Sequence, residues 1–198
     1  GGGHALTFNI SSDASGLTSG VLSGSGALTK AGAGTLTLSG ANSFTGATTI
    51  LGGTLLMGAQ NALSAASTVQ FSNGTWDLNG FNQTVKGLSS NNSLASVTLG
   101  SAALTVNNTD NLTYWGGISG SGSVTKAGTG SLTLGGVTSY TGATLINSGT
   151  LRLGVQNAIT QSLGVDLSAG TLDLAGYNQR IANLGGNTGT SVTLGSAT

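Results

Sequence analysis

Gly26-Ala-Leu-Thr-Lys30-Ala-Gly32-Ala-Gly34-Thr-Leu-Thr-Leu38 leads into Phe44-Thr-Gly46-Ala-Thr-Thr-Ile50 and then Gly53-Thr-Leu-Leu-Met-Gly58. The same wording returns 96 residues later as Gly122-Ser-Val-Thr-Lys126, Gly130-Ser-Leu-Thr-Leu134, Tyr140-Thr-Gly142-Ala-Thr-Leu-Ile146 and Gly149-Thr-Leu-Arg-Leu-Gly154. A repeat this long decides the architecture before any local reading does. A shorter period runs inside it. Gly34-Thr35-Leu36, Gly53-Thr54-Leu55 and Gly74-Thr75-Trp76 fall at steps of 19 and 21 residues, and Gly130-Ser131-Leu132, Gly149-Thr150-Leu151 and Gly170-Thr171-Leu172 keep those steps. A period of about twenty residues with short strands and Gly or Asn turns describes one coil of a solenoid. Like residues then stack on like, with a Leu/Ile/Val column inside and a Thr/Ser column outside.

Alternation carries the local reading. Leu6-Thr-Phe8, Leu28-Thr-Lys30, Thr35-Leu-Thr-Leu38, Val69-Gln-Phe71, Trp76-Asp-Leu78, Val97-Thr-Leu99 and Leu104-Thr-Val106 step apolar, polar, apolar. Period two means strands with one buried face, and the flanking Gly, Asn and Ser supply turns. The one soft helical candidate is Gln60–Ala66, a loop or a single turn. A β-sandwich has short strands too, but does not require one phrase to recur in phase. An outer-membrane barrel wants strands of about 9–11 residues and aromatic girdles. The expectation is therefore an all-β chain, a right-handed parallel β-helix of roughly ten rungs and about 48 Å in length. Residues 1–198 are expected to form a single continuous β-helix, an excerpt of a longer array with units of approximately 1–102 and 103–198.

Composition removes several classes of function. Charged residues are 5%, Glu, Pro and Cys are absent, and the formal net charge is zero. Duplex nucleic acid demands clustered cations, and five scattered Lys and Arg do not supply them. No apolar run reaches the roughly 18 residues of a membrane helix. A surface of Thr, Ser, Asn and Gly belongs more naturally outside the cell than inside it. Ser191-Val-Thr-Leu-Gly-Ser-Ala197-Thr198 and His4-Ala-Leu-Thr-Phe-Asn9 read as consecutive halves of the internal phrase Ser96–Asn107. The expected partner is accordingly the chain itself, by end-to-end stacking into a filament or by lateral association.

The phrases at 26–58 and 122–154 resemble the autotransporter-associated β-strand repeat of bacterial passenger domains: Leu-Thr-Lys or its variant, Gly-x-Gly-Thr-Leu-Thr-Leu, Phe/Tyr-Thr-Gly-x-Thr, Ile, Gly-Thr-Leu and a closing Gly. The resemblance covers about a third of the chain; segments 59–121 and 155–198 follow the pattern loosely. It implies a right-handed parallel β-helix exported by a Gram-negative bacterium and placed at the cell surface or outside it. Such passengers include adhesins, aggregation and biofilm factors, and some toxins or hydrolases.

Few residues offer chemistry. The acids are Asp13, Asp77, Asp110, Asp166 and Asp173, and two-carboxylate hydrolysis needs a pair about 5–9.5 Å apart. Asp77 and Asp173 are equivalent positions about five rungs apart, each expected to be a solvated charge. His4 is the only histidine; no relay or metal cluster gathers around it, and no cofactor is expected. The Gly pairs at 24–26, 32–34 and 128–130 lack the Gly-Lys-Ser/Thr of a phosphate loop and read as turns. Lys30 and Lys126 are read as outward solubilising charges, and Trp76, which replaces Leu172, as core. Phe44/Tyr140 and Phe81/Tyr177 suit a core edge where a hydroxyl reaches water. Tyr114-Trp115 has no aromatic counterpart in the first copy and is the candidate ligand-binding pair: a sugar-stacking platform if exposed, packing if not.

These features favour a non-enzymatic extracellular scaffold acting in adhesion, self-association or fibre formation, with host or matrix glycans as further partners. The alternatives are a glycan-degrading β-helix enzyme and an ice- or surface-binding Thr array. The array is already interrupted where Thr54 is followed by Leu55-Leu56 and Thr75 by Trp76-Asp77.

Overall fold

The computed structural model describes residues 3–195, and every regular element among them is a short strand. The strands stack into three parallel sheets. Face I has ten strands, running from Leu6–Asn9 through Leu28–Ala31, Thr48–Ile50, Thr68–Phe71, Gly87–Ser90, Leu112–Tyr114, Ser131–Leu134, Thr150–Leu153 and Thr171–Asp173 to Ser191–Thr193. Face II has seven, from Ser15–Thr18 through Thr35–Leu38, Thr54–Met57, Thr75–Asp77, Ser96–Thr98 and Gly117–Gly120 to Ser139–Tyr140. Face III has six: Gln83–Val85, Leu104–Asn107, Val124–Ala127, Thr144–Ile146, Val165–Leu167 and Leu184–Gly186. The chain coils for about nine turns, through faces I and II at the start, through all three faces in the middle and through faces III and I after Tyr140, which makes it a β-solenoid. Residues 60–66 form turns rather than a helix.

Register explains the twenty-residue period. Thr35, Thr54, Thr75 and Ser96 are ladder partners on face II, with Leu36, Leu55, Trp76 and Val97 beside them pointing inward. Ser131, Thr150, Thr171 and Ser191 form the matching column on face I. Each inward Leu such as Leu36, fully buried, contributes about 1.5–3 kcal/mol. Trp76 lies in the core as expected. The neighbouring outward column on face II reads Thr37, Leu56, Asp77, Thr98, so the Thr array is broken.

The 96-residue repeat is not a whole number of turns. The strand of Lys30 lies on face I, whereas that of Lys126 lies on face III. Four turns along face I lead from Leu28–Ala31 to Leu112–Tyr114, and two further faces reach Val124–Ala127. The second copy is thus set four and two-thirds turns on, rotated by one face. Asp77 and Asp173 consequently sit on faces II and I rather than five rungs apart on one face.

Lys30 and Lys126 point inward and are fully buried, contrary to the outward reading. Parity is the reason: Leu28 and Lys30 share one side of their strand, so burying one buries the other. Lys30 Nζ donates to the carbonyls of Ala31 (2.8 Å), Gly32 (2.8 Å) and Gly52 (3.1 Å). Lys126 Nζ donates to those of Ala127 (2.5 Å), Gly128 (2.8 Å) and Ser148 (3.3 Å). Three N–H donors meet three acceptors, two in the lysine's own corner and one in the next coil. Gly32 and Gly128 hold that corner at φ +74° and +73°, where a Cβ on either would strike the preceding coil's backbone. The Lys-Ala-Gly phrase is therefore a corner lock between coils. Burial lowers the pKa of both ammonium groups, that of Lys126 to about 8.

Two further expectations change. Asp77 and Asp173 are not free solvated charges. Their Oδ1 atoms accept the N–H of Asn79 and Ala175 at 2.8 Å, capping the turn that follows, and Asp173 also pairs with Arg152 at 3.3 Å. Tyr140 does not reach water: it is buried, and its hydroxyl meets Thr144 Oγ1 at 2.6 Å. Burial pushes its phenol up to about 12, against the lowering effect of that hydrogen bond. Phe81 is partly buried and Tyr177 exposed.

Candidate functional site

Tyr114 and Trp115 are adjacent, and strand parity sends them opposite ways. Tyr114 ends its strand pointing inward and is fully buried. Its ring lies 5.6 Å from that of Phe71, and its hydroxyl donates to the carbonyl of Gly117 at 3.1 Å. Burial drives its phenol well above the ordinary range. It belongs to the core and is not a binding residue. Trp115 opens the corner between faces I and II and is 45% exposed. Its indole lies against Gly135 of the next coil, where a Cβ would come within 2.6 Å of Cε3. The backbone on either side is fixed: Trp115 N–H donates to Ser90 O at 3.2 Å and Gly135 N–H to Tyr114 O at 2.8 Å.

Trp115 stands at the rim of a groove of about 440 Å³. The floor is Thr49, Gln70, Ser89 and Thr113, the outward residues of four successive coils of face I. The wall is Ser72, Asn91 and Trp115, from three successive corners. Asn92 stiffens that corner: its Nδ2 donates to Ser72 O at 2.6 Å, its Oδ1 accepts Leu94 N–H at 2.9 Å, and Ser90 Oγ accepts its own N–H at 3.0 Å. No charged side chain lines the groove. Its chemistry is hydroxyl, amide and one aromatic face, which suits a ligand with many hydroxyls and some C–H surface.

Trp115 was legible as a candidate, but the floor residues were not. They are separated by 19 to 24 residues and look like ordinary outward positions; only register brings them together. The acids are dispersed: Asp77 faces out from face II, Asp166 from face III and Asp173 from face I, while Asp13 and Asp110 lie in turns. Among the described residues, no group of three or more His, Cys, Asp or Glu gathers, and His4 is exposed in the first described coil.

The passenger-associated-transport-repeat family matches residues 28–57 and 124–153; the first span covers four strands and the second five, and each holds a lysine corner. The chain is also 41% identical over 91 residues to the "Adhesin BmaC autotransporter" of Brucella suis biovar 1 (strain 1330). That stretch is 44% of this chain and 3% of the relative's length. No solved structure matches the chain, and no helix among the described residues is long and apolar enough to cross a membrane. Two matches to the passenger-associated-transport-repeat family on one parallel β-solenoid, with a 91-residue likeness to an autotransporter adhesin, support a repeat-bearing autotransporter passenger, at the cell surface or outside it in a Gram-negative bacterium.

Proposed function

We propose that this segment is a non-enzymatic, adhesive part of its passenger and that it holds glycans in the groove beside Trp115. The carrying observation is the half-exposed indole, held against Gly135 next to a floor of uncharged hydrogen-bonding side chains. The name of the Brucella relative supports an adhesive role. The dispersed aspartates leave no carboxylate pair on one face for hydrolysis. The test is binding of the purified chain and its Trp115→Ala variant to an array of immobilised glycans. The wild type is expected to retain glycans and the variant to bind at least tenfold more weakly, about 1.4 kcal/mol. Equal binding by the two proteins would remove the groove from the reading, and turnover of any glycan would remove the non-enzymatic role.

Self-association, extending to fibre formation, is the second reading. Leu94 and Val137 flank Trp115 along the same corner and are 72% and 63% exposed. Lateral pairing of two such corners would cover them. Sedimentation at rising concentration tests this: Leu94→Ser with Val137→Ser should abolish any dimer, and a monomer at every concentration in the wild type would end this reading.

A further inference from the structure

We infer that the groove takes a linear, uncharged polysaccharide lying parallel to the solenoid axis, about one sugar per coil, with Trp115 stacking on a unit at one end. This rests on the glycan-binding reading above and states the ligand's class and direction.

The direction follows from register. Thr49 pairs with Gln70, and Gln70 with Ser89. The Ser90–Tyr114 bridge sets Ser89 beside Thr113. Each floor residue thus comes from its own coil, and coils are spaced about 4.8 Å apart, close to the length of one hexose in an extended chain. Hydroxyl and amide groups recur along the axis at nearly the period of such a ligand. A chain laid across the axis would meet a single coil of this ladder and run into the wall of Ser72, Asn91 and Trp115. Along the axis the outward column goes on as threonine, through Thr29 on one side and Thr133 on the other.

The charge follows from the lining. The column continues without charge through Thr29 and Thr7 in one direction and Thr133 in the other. The first charged members are Arg152 and Asp173, which neutralise each other at 3.3 Å. An anionic glycan would find no free cation in the groove, whereas a neutral one satisfies the floor with hydroxyls and covers the indole with its C–H face.

The experiment is calorimetric titration of the whole chain with neutral linear oligosaccharides of one to eight units, in glucan, xylan, mannan and chitin series, and with oligogalacturonides of the same lengths. Affinity should climb at least threefold per added sugar to about four units, then level off, and the oligogalacturonides should not bind. Gln70→Ala should leave the disaccharide unaffected and weaken the tetrasaccharide at least threefold, while Trp115→Ala weakens every length; circular dichroism confirms that both variants fold. Length-independent affinity, or a Gln70→Ala penalty equal at all lengths, would overturn the axial placement and leave glycan binding standing. Preference for oligogalacturonides would overturn the uncharged class. Binding of no saccharide by the folded protein would overturn this inference and the glycan reading together.

Discussion

The two repeat copies, Leu28–Met57 and Val124–Leu153, fold alike and face different ways. The four strands of the first copy recur in the same order in the second, which adds the short strand Ser139–Tyr140, and each copy buries a lysine against three carbonyls. Each sets a threonine in a buried hydroxyl pair at 3.0 Å with a serine of the coil that follows, Thr48 with Ser67 and Thr144 with Ser162. Yet the first copy begins on face I and the second on face III. Local structure thus travels with the phrase, while orientation depends on the turns accumulated between copies. Two of the places where the copies differ bear on the groove and on the core. Ser39 of the first copy corresponds to Gly135 of the second, and Trp115 lies where a side chain at 135 would stand. Phe44 corresponds to Tyr140, which adds a hydroxyl to the buried Thr–Ser pair.

The rotation between copies can be broken outright by cross-linking. Thr113 and Thr133 are outward ladder partners on face I, within the Cα range of about 4.4–6.8 Å that a disulfide spans, and the chain has no native cysteine. Thr113→Cys with Thr133→Cys should oxidise nearly completely, as non-reducing gel mobility would show. A pair that stays reduced in the folded protein would remove Thr133 from face I and with it the rotation between the copies.

The corner lock sharpens the sameness of the copies. Lys30→Met and Lys126→Met each leave three inward carbonyls without their donor, and each should cost about 3 kcal/mol in urea denaturation. The two costs should agree and add, since the sites share no contacts. A costless substitution at either site would show that the ammonium is not what holds the corner.

A smaller effect separates the copies. Tyr140→Phe should cost about 1 kcal/mol by removing the hydroxyl from Thr144, and Phe44→Tyr should recover a similar amount beside Thr48. Should both changes be neutral in thermal unfolding, the buried hydroxyl network does not distinguish the copies energetically.

The smallest effect is on pH. The folded pKa of Lys126, about 8, lies below its ordinary 10.5, so between these values the unfolded chain binds more protons and stability rises with pH. Tyr114 and Tyr140 are shifted upward from 10, so their contribution is complete below pH 10 and lost above it. Urea midpoints should climb gently from pH 8 to about 10 and then fall. Lys126→Met should reduce the climb; an unchanged climb in that variant would assign it to other groups.

Strands, turns and the solenoid were legible because they are written in parity and in a twenty-residue period, both readable within one coil. Lys30 was misread although Leu28-Thr-Lys30 has the parity of an inward residue: a charge is rarely buried, and only the carbonyls of Ala31, Gly32 and Gly52 make it possible. One of those three belongs to the next coil, beyond any local window. Tyr114 and Trp115 show the same limit. Parity separates them once the strand end is known, and Gly135 completes the site from another coil.

That this chain coils is written in its residues: alternation assigns inside and outside, glycines bend the corners, and the repeated phrase stacks on itself. The one-face turn of the second copy, and the groove that Thr49, Gln70, Ser89 and Thr113 share with Trp115, arise only once the coils are stacked. The reason is cumulative. Coils of 19 to 24 residues add their lengths along the axis, so one residue more or less in any corner shifts every later residue, and no local pattern records that sum.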